Sequence, residues 1–136
     1  MKHLIILSGI LFLTLSTYSQ SEKKIKTLGI TKTVITQTHY EDGLKETYVL
    51  EEKYFNKEGK LIEHKDFNKE GKLKEWQKFT YTEKGELETE TTLNSKGNMV
   101  KMIKYEYKNG MKISKHYYDA KSRLIKTKSY EYSINK

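Results

Sequence analysis

From Ile30 onward, the chain alternates between short apolar-rich segments and clusters of turn-forming residues. The segments are rich in Thr, Tyr, Val and Ile, and they show no sustained apolar stripe at helical spacing. Seven turn positions divide this part of the chain into eight segments. The pattern therefore predicts an all-β fold of about eight strands.

A seven-residue motif recurs at most of these turns. Its clearest copy, at residues 55–61, reads FNKEGKL. Further copies, some of them shortened or degenerate, lie at residues 40–44, 67–73, 81–87, 93–99, 107–111 and 118–124. The glycines that we expect to form structural turns are Gly43, Gly59, Gly71, Gly85, Gly97 and Gly110.

Each copy has the chemistry of a tight β-hairpin. The side chain of Asn56 can bond to the backbone that follows it, and Gly59 can adopt the positive φ that a type I turn with a bulge requires. If Asn56 pairs with Lys60 across the turn, Phe55 lies directly opposite Leu61. The same geometry pairs Phe67 with Leu73, Tyr81 with Leu87, Leu93 with Met99 and Tyr118 with Leu124.

The spacing of apolar residues predicts which face of the sheet their side chains point to. Leu61 and Phe67 are six residues apart and Leu73 and Tyr81 eight, and such even intervals place both apolar ends of a strand on one face. Charged residues fill both faces between these ends. We therefore expect an antiparallel meander in one open, curved sheet. A closed up-and-down barrel is the alternative, because closure removes exposed edges.

The first 19 residues have the three parts of a secretory signal. A basic start, an apolar run at residues 4–15 and a small-residue segment predict cleavage between Ser19 and Gln20. The run is shorter than the roughly 20 residues of a membrane span. We expect an exported protein, periplasmic or secreted, and the lack of Cys argues against a lipoprotein. An exposed lead-in at residues 20–29 then precedes the hairpin-repeat domain at residues 30–136.

Charge and cysteine content narrow the classes of partner and chemistry. The chain has a formal net charge of +8 at pH 7, which favours anionic partners. Export argues against nucleic acid, so an acidic glycan or another protein is the expected partner. The chain contains no Cys, which excludes disulfides, thiolate metal sites and thiol nucleophiles.

No catalytic, cofactor-binding or metal-binding motif stands out in the sequence. His39, His64 and His116 fall on three different predicted strands, without a short metal-ligand spacing. Lys residues match the carboxylates at similar density, and each Gly stands alone in a turn rather than in a phosphate-binding loop. The sequence therefore predicts a non-catalytic protein without a cofactor.

Aromatic and basic residues mix most densely in the last predicted strands. Exposed rings on a sheet can stack on sugars or on extended chains, and ammonium groups attract anions. Trp76 adds the largest ring of the chain to this set. The predicted ligand face consists of Trp76, Tyr105, Lys112, Lys115, Tyr117, Lys126, Lys128 and Tyr130.

The motif resembles two kinds of hairpin repeat. Its order of aromatic, Asn or Asp, two polar residues, Gly, Lys or Arg, and Leu is similar to the YD repeat of RHS-type proteins. Tyr118-Asp119, followed by Arg123-Leu124, is the nearest copy, whereas most other copies lack the Tyr-Asp pair. The motif also resembles the short repeats of the variant MORN type. Over residues 40–133 the resemblance implies a β-sheet scaffold without a repeat-borne catalytic site, so no functional residue is carried over.

These features together predict an exported binding protein of the cell envelope or the extracellular space. Its partner is expected to be anionic and to lie against a face or an edge of the sheet. The alternative function is that of a structural, immunity or accessory module that caps another protein.

Overall fold

Eight antiparallel strands and one short helix make up residues 22–135, the part of the chain that the computed structural model describes. The predicted signal peptide at residues 1–19, with its cleavage site, lies outside the described residues. The number of strands agrees with the number predicted from the turns. The strands are β1 (Lys32–Glu41), β2 (Leu44–Phe55), β3 (Leu61–Phe67), β4 (Leu73–Tyr81), β5 (Leu87–Leu93), β6 (Met99–Lys108), β7 (Met111–Asp119) and β8 (Leu124–Ser129).

The strands pair in sequence order, so the sheet is a meander. Each strand from β2 to β7 hydrogen-bonds to the strand before it and to the strand after it. Within the described range, β1 pairs with β2 alone and β8 pairs with β7 alone. The predicted single open sheet is thus confirmed. The closed-barrel alternative is wrong, because the two outer strands do not pair with each other.

The sheet is a single layer whose two faces both meet solvent. Of the side chains in residues 22–135, Tyr105 and Ser114 are the two that are almost fully buried, with exposed fractions of 7% and 6%. Most other strand residues are half-buried or exposed. Cross-strand side-chain pairs and the alkyl stems of Lys therefore supply much of the apolar contact that a packed core gives other proteins.

The turns have the geometry that the sequence predicts. In the turn between β2 and β3, the carbonyl of Asn56 accepts a hydrogen bond from the N–H of Gly59 at 3.0 Å. The side-chain oxygen of Asn56 accepts from the N–H groups of Glu58 and Lys60, at 3.1 and 2.9 Å. Gly59 has a φ of 80°, a conformation that other residues rarely adopt. Ser122, at the same place in the last turn, has a φ of 59°.

A β-bulge follows each of the five-residue turns and changes which face of the sheet the later side chains of the strand point to. Phe55 pairs with Leu61 as predicted, but Tyr54 pairs with Glu63, so that Ile62 is an extra residue without an opposite partner. The extra residue reverses the alternation of side chains within the strand. Leu61 and Phe67 therefore lie on opposite faces. The prediction that both apolar ends of a strand share one face is wrong, because the extra residue makes an even interval equivalent to an odd one.

The structural repeat is a pair of hairpins rather than a single hairpin. Alternate turns lie at the same end of the sheet, and at the end that holds the turn between β2 and β3 tyrosine hydroxyls connect neighbouring turns. Each of these tyrosines donates to a carbonyl 20 residues earlier, at 2.6 to 2.9 Å. The bonds run from Tyr81 to Leu61, from Tyr107 to Leu87 and from Tyr132 to Lys112.

Residues 22–28 form a helix, α1, which packs on the turn between β2 and β3. A side chain at Gly59 would collide with the carbonyl of Glu22 and with the backbone of Lys26, and Lys60 approaches Glu22 at 3.6 Å. The segment predicted as a lead-in thus contains a short helix that contacts the sheet through Glu22 and Lys26, while Lys23, Lys24, Thr27 and Leu28 are exposed. The missing side chain of Gly59 is what permits the contact. No helix in the described chain has the length and apolarity needed to cross a membrane.

Candidate binding face

The register divides the predicted ligand residues between the two faces of the sheet. Trp76 pairs with Lys65 and with Leu93, which defines the Trp76 face. Tyr105 pairs with Lys115 on the other side, which defines the Tyr105 face. Trp76 is thus separated from the rest of the predicted set. Six of the predicted residues share the Tyr105 face and form what we call the lysine-tyrosine cluster: Tyr105, Lys112, Lys115, Tyr117, Lys126 and Lys128.

Tyr130, the last of the predicted residues, follows directly after β8. Its N–H donates to the carbonyl of Ile113 at 2.9 Å, which continues the pairing with β7 beyond the end of the strand. Its side chain is 36% exposed. Tyr130 therefore borders the cluster through its backbone.

Lysine side chains lie over both tyrosine rings of the cluster. The Nζ atoms of Lys112 and Lys115 stand 4.6 and 5.2 Å from the ring centroid of Tyr105. The Nζ atom of Lys126 stands 4.2 Å from the ring centroid of Tyr117. These are cation-π distances, and they hold the ammonium groups at defined places on the sheet.

Tyr105 is a support for the lysines rather than a stacking surface. Its hydroxyl donates to the Oε2 atom of Glu90, on β5, at 3.0 Å. Burial, followed by the nearby Glu90 charge, raises the pKa of Tyr105 well above its ordinary value. Because the ring is 7% exposed and Lys112 and Lys115 cover it, ammonium groups are what the cluster presents to a partner.

Positive charges stand close together in the cluster. Lys115 and Lys128 are directly opposite each other on β7 and β8. Burial and the repulsion from the Lys115 ammonium lower the pKa of Lys112, against the opposing effect of Glu90. Like charges directly opposite each other destabilise a sheet. An anion placed between these groups would remove the repulsion.

Lysines near the other end of the sheet are paired with carboxylates. Lys32 lies 2.9 Å from Glu52, and Lys53 lies 2.6 Å from Glu51. For Lys112, Lys115, Lys126 and Lys128, by contrast, no carboxylate within residues 22–135 lies at ion-pair distance from the ammonium group. The lysine-tyrosine cluster therefore gathers four lysines without a described carboxylate partner on one face of β7 and β8.

A histidine and two carboxylates meet on β2 and β3, which the sequence analysis missed. The Nε2 atom of His64 lies 2.9 Å from Glu51 and 3.3 Å from Asp66, and the three groups have one ligand atom each within 4.8 Å of one another. Lys53 binds the second oxygen of Glu51. Burial raises the pKa of Glu51, but the bonds from Lys53 and His64 outweigh it and keep the pKa low. A divalent cation would have to compete with both of these bonds.

A serine, a histidine and a glutamate also meet, on the Trp76 face. The hydroxyl of Ser114 donates to Glu106 at 2.7 Å and lies 3.0 Å from the Nε2 atom of His116. The other histidine nitrogen contacts Thr127 at 3.0 Å. In a nucleophilic triad the carboxylate orients the histidine and the histidine takes the serine proton. Here the Ser114 hydroxyl donates to the Glu106 carboxylate, and that carboxylate lies 3.2 Å from the same Nε2 atom of His116, so the order of the contacts differs from that of a triad. Ser114 is also only 6% exposed.

The comparison with known sequences adds no family to this description. The chain matches no protein-family model and has no significant match among curated proteins. The geometry of the sheet therefore carries the functional argument. Its most distinctive chemical feature is the uncompensated charge of the lysine-tyrosine cluster.

Proposed function

We propose that the mature protein is an exported, non-catalytic binding protein that holds an anionic partner against the lysine-tyrosine cluster. The observation that carries this proposal is the facing pair of Lys115 and Lys128 without a neighbouring carboxylate. Such a repulsive pair lowers the stability of a sheet. Elsewhere in the sheet, lysines form ion pairs with glutamates, as Lys53 does with Glu51.

The spacing of the cluster indicates the partner's chemistry. Neighbouring strands lie about 4.8 Å apart, so one carboxylate, sulfate or phosphate group can contact ammonium groups from two strands at once. Lys112 and Lys115 lie over the Tyr105 ring and Lys128 lies opposite Lys115, so three such groups stand near one another. A partner with several anionic groups along an extended chain fits this surface, as an acidic glycan or an acidic protein segment would.

The export part of the proposal rests on residues 1–19, whose composition is that of a secretory signal. The hairpin motif supports a relation to YD or variant MORN repeats, which are scaffolds for binding surfaces. Both parts are compatible with a function outside the cytoplasm. Secretion of the full-length chain, with an N-terminus at Gln20 in the exported product, would support this placement.

The binding proposal is tested with defined polyanions and matched variants. The mature chain is titrated with polygalacturonate, with a sulfated glycan, with poly-glutamate and with neutral dextran. We expect binding to the polyanions and none to dextran, with affinity that falls as salt rises. Replacing both Lys115 and Lys128 by Glu should weaken binding at least about tenfold, which corresponds to 1.4 kcal/mol.

The control carries the same change in net charge at a different place. Lys45→Glu together with Lys74→Glu alters two exposed lysines outside the cluster. This variant should keep most of the affinity. Equal losses in the two variants would show that net charge alone governs binding and would contradict a specific site. Preference for poly-glutamate over both glycans would identify a protein as the partner class.

A further inference from the structure

The edge strand β1 carries charges only at its two ends, Lys32 and Glu41. Its eight residues from 33 to 40 include no Asp, Glu, Lys or Arg, although such residues make up 32% of the chain. Every other strand contains at least two of them between its two end residues. Edge strands of monomeric sheets usually carry charges, which prevent pairing with another chain. Of the two edge strands, β1 is therefore the one that lacks this protection along its middle.

The opposite edge of the sheet follows the usual rule. β8 contains Lys126 and Lys128, and all six of its residues are exposed. Lys121 and Arg123 precede it in the last turn. Pairing of β8 with another β8 would bring lysines together and is disfavoured. The two edges thus differ in their capacity to accept a further strand.

The described part of the chain leaves the outer side of β1 accessible. Val34 and Ile35 are 47% and 45% exposed. The contacts of α1 are made to the turn between β2 and β3, through Gly59 and Lys60, which lies on the other side of β2 from the outer edge. α1 therefore does not take the place of a further strand.

We propose that β1 pairs antiparallel with β1 of a second copy, which joins the two sheets into one. Antiparallel self-pairing places the Lys32 end of one strand beside the Glu41 end of the other, so no like charges come to lie opposite each other. The middle of the joint consists of uncharged residues that are rich in Thr, Val and Ile. Two strands of equal length and complementary ends favour a second copy over β8, which has six residues and two lysines.

Two registers of this symmetric joint are centred on the strand. Directly opposite residues of an antiparallel pair point to the same face, so the two-fold axis is perpendicular to the sheet. The axis then passes through either Thr36 or Gln37, and that residue lies opposite its own copy. Such an interface closes after two copies, whereas pairing of β1 with β8 would produce open chains. Both lysine-tyrosine clusters occupy the same face of the joined sheet.

Single-cysteine variants test the joint, since the chain has no cysteine of its own. Opposite residues in an antiparallel pair have Cα atoms about 4.5 to 5.5 Å apart, which is within disulfide reach. Under mild oxidation we expect either Thr36→Cys or Gln37→Cys to form a covalent dimer rapidly. Ser129→Cys, on the β8 edge, is the control and should remain monomeric. Equal crosslinking of all three, or of none, would overturn the proposal.

Sedimentation velocity tests the joint without a crosslink. A single strand pairing buries less area than the roughly 1,200 Å² of stable interfaces, so we expect a monomer-dimer equilibrium that depends on concentration. Thr36→Lys places like charges at the axis and should give monomers, whereas Ser129→Lys adds the same charge at the other edge and should leave dimers. Unchanged circular dichroism verifies the fold of both. A native chain that stays monomeric at its highest soluble concentration, or that forms larger species, would overturn the proposal.

Discussion

Lys115 and Lys128 lie directly opposite each other on β7 and β8, and both belong to a face where described carboxylates leave their ammonium groups unpaired. A sheet gains nothing in stability from such a pair. The arrangement therefore opposes stability and favours anion binding. Substitutions at these two positions should separate the two properties.

Lys128→Glu should stabilise the sheet while it weakens anion binding. The change replaces a repulsive cross-strand pair by an attractive one, and we expect the free energy of unfolding to rise by about 0.2 to 1 kcal/mol. Urea denaturation measures this change, and titration with polygalacturonate measures the loss of affinity. Lys45→Glu, far from the cluster, should change neither quantity by much. A destabilised Lys128→Glu protein would contradict the repulsion that we infer.

Gly59→Ala should destabilise the protein more than Gly71→Ala. Both glycines have positive φ, at 80° and 74°, and a residue with a Cβ atom loses about 1 to 2 kcal/mol in that region. At Gly71 the added Cβ atom meets nothing within 4 Å, whereas at Gly59 it collides with α1. We therefore expect an additional loss at Gly59, with detachment of α1. Denaturation curves of the two variants supply the comparison, and equal losses would mean that α1 does not pack on this turn.

Tyr107→Phe tests the hydroxyl contacts that link alternate turns. The hydroxyl of Tyr107 donates to the carbonyl of Leu87 at 2.9 Å, and the substitution removes the bond but keeps the ring. A loss of about 0.5 to 1.5 kcal/mol in unfolding free energy is expected. Tyr40, which is 75% exposed, provides the control through Tyr40→Phe. If both variants unfold at the same urea concentration as the native protein, the hydroxyl contacts contribute nothing.

Stability should decrease at acid pH because several carboxyl groups have lowered pKa values in the folded state. Hydrogen bonds from Ser114 and His116 lower the pKa of Glu106, and the bonds to Arg123 lower that of Asp119. The ordinary pKa values are 4.5 for Glu106 and 3.8 for Asp119. As pH falls through these values, both groups become protonated in the unfolded chain before they do in the folded chain. Stability is therefore complete above these values and is lost as pH falls through the folded-state pKa values.

Glu106→Gln checks the cause of this acid sensitivity. The variant should lose less stability than the native protein between neutral and acid pH, because one group that titrates on unfolding is absent. Glu83→Gln, at an exposed turn position, serves as the matched control and should follow the native curve. Identical pH profiles for all three proteins would show that the Glu106 contacts do not affect stability.

The strands and turns could be predicted because short segments determine them. Asn56 and Gly59 together specify a turn without help from distant residues, and the other copies repeat this chemistry. The faces could not be predicted, because each bulge residue, such as Ile62, reverses the alternation that follows it. One such reversal lies within β5 and leaves Leu87 and Leu93 on opposite faces, although their spacing of six residues predicts a shared face.

Contacts between distant residues were also beyond the reach of the local pattern. Glu51 and His64 are 13 residues apart, and only the final register brings them to 2.9 Å. The packing of α1 depends on a glycine more than 30 residues away along the chain. The lysines of β7 and β8 were predicted as a basic region, but their lack of carboxylate partners depends on where Glu90 and the other acids lie in the sheet.

The molecule consists of similar hairpin units that follow one another in a single direction, and tyrosine hydrogen bonds link alternate turns at one end of the sheet. Because each strand touches mainly its sequence neighbours, insertion or deletion of two consecutive hairpins would change the length of the sheet and leave its two ends as they are. The distance between the uncharged edge at β1 and the basic face near β8 is then set by the number of hairpin pairs. Gene segments that encode such pairs could be duplicated or lost without redesign of either end.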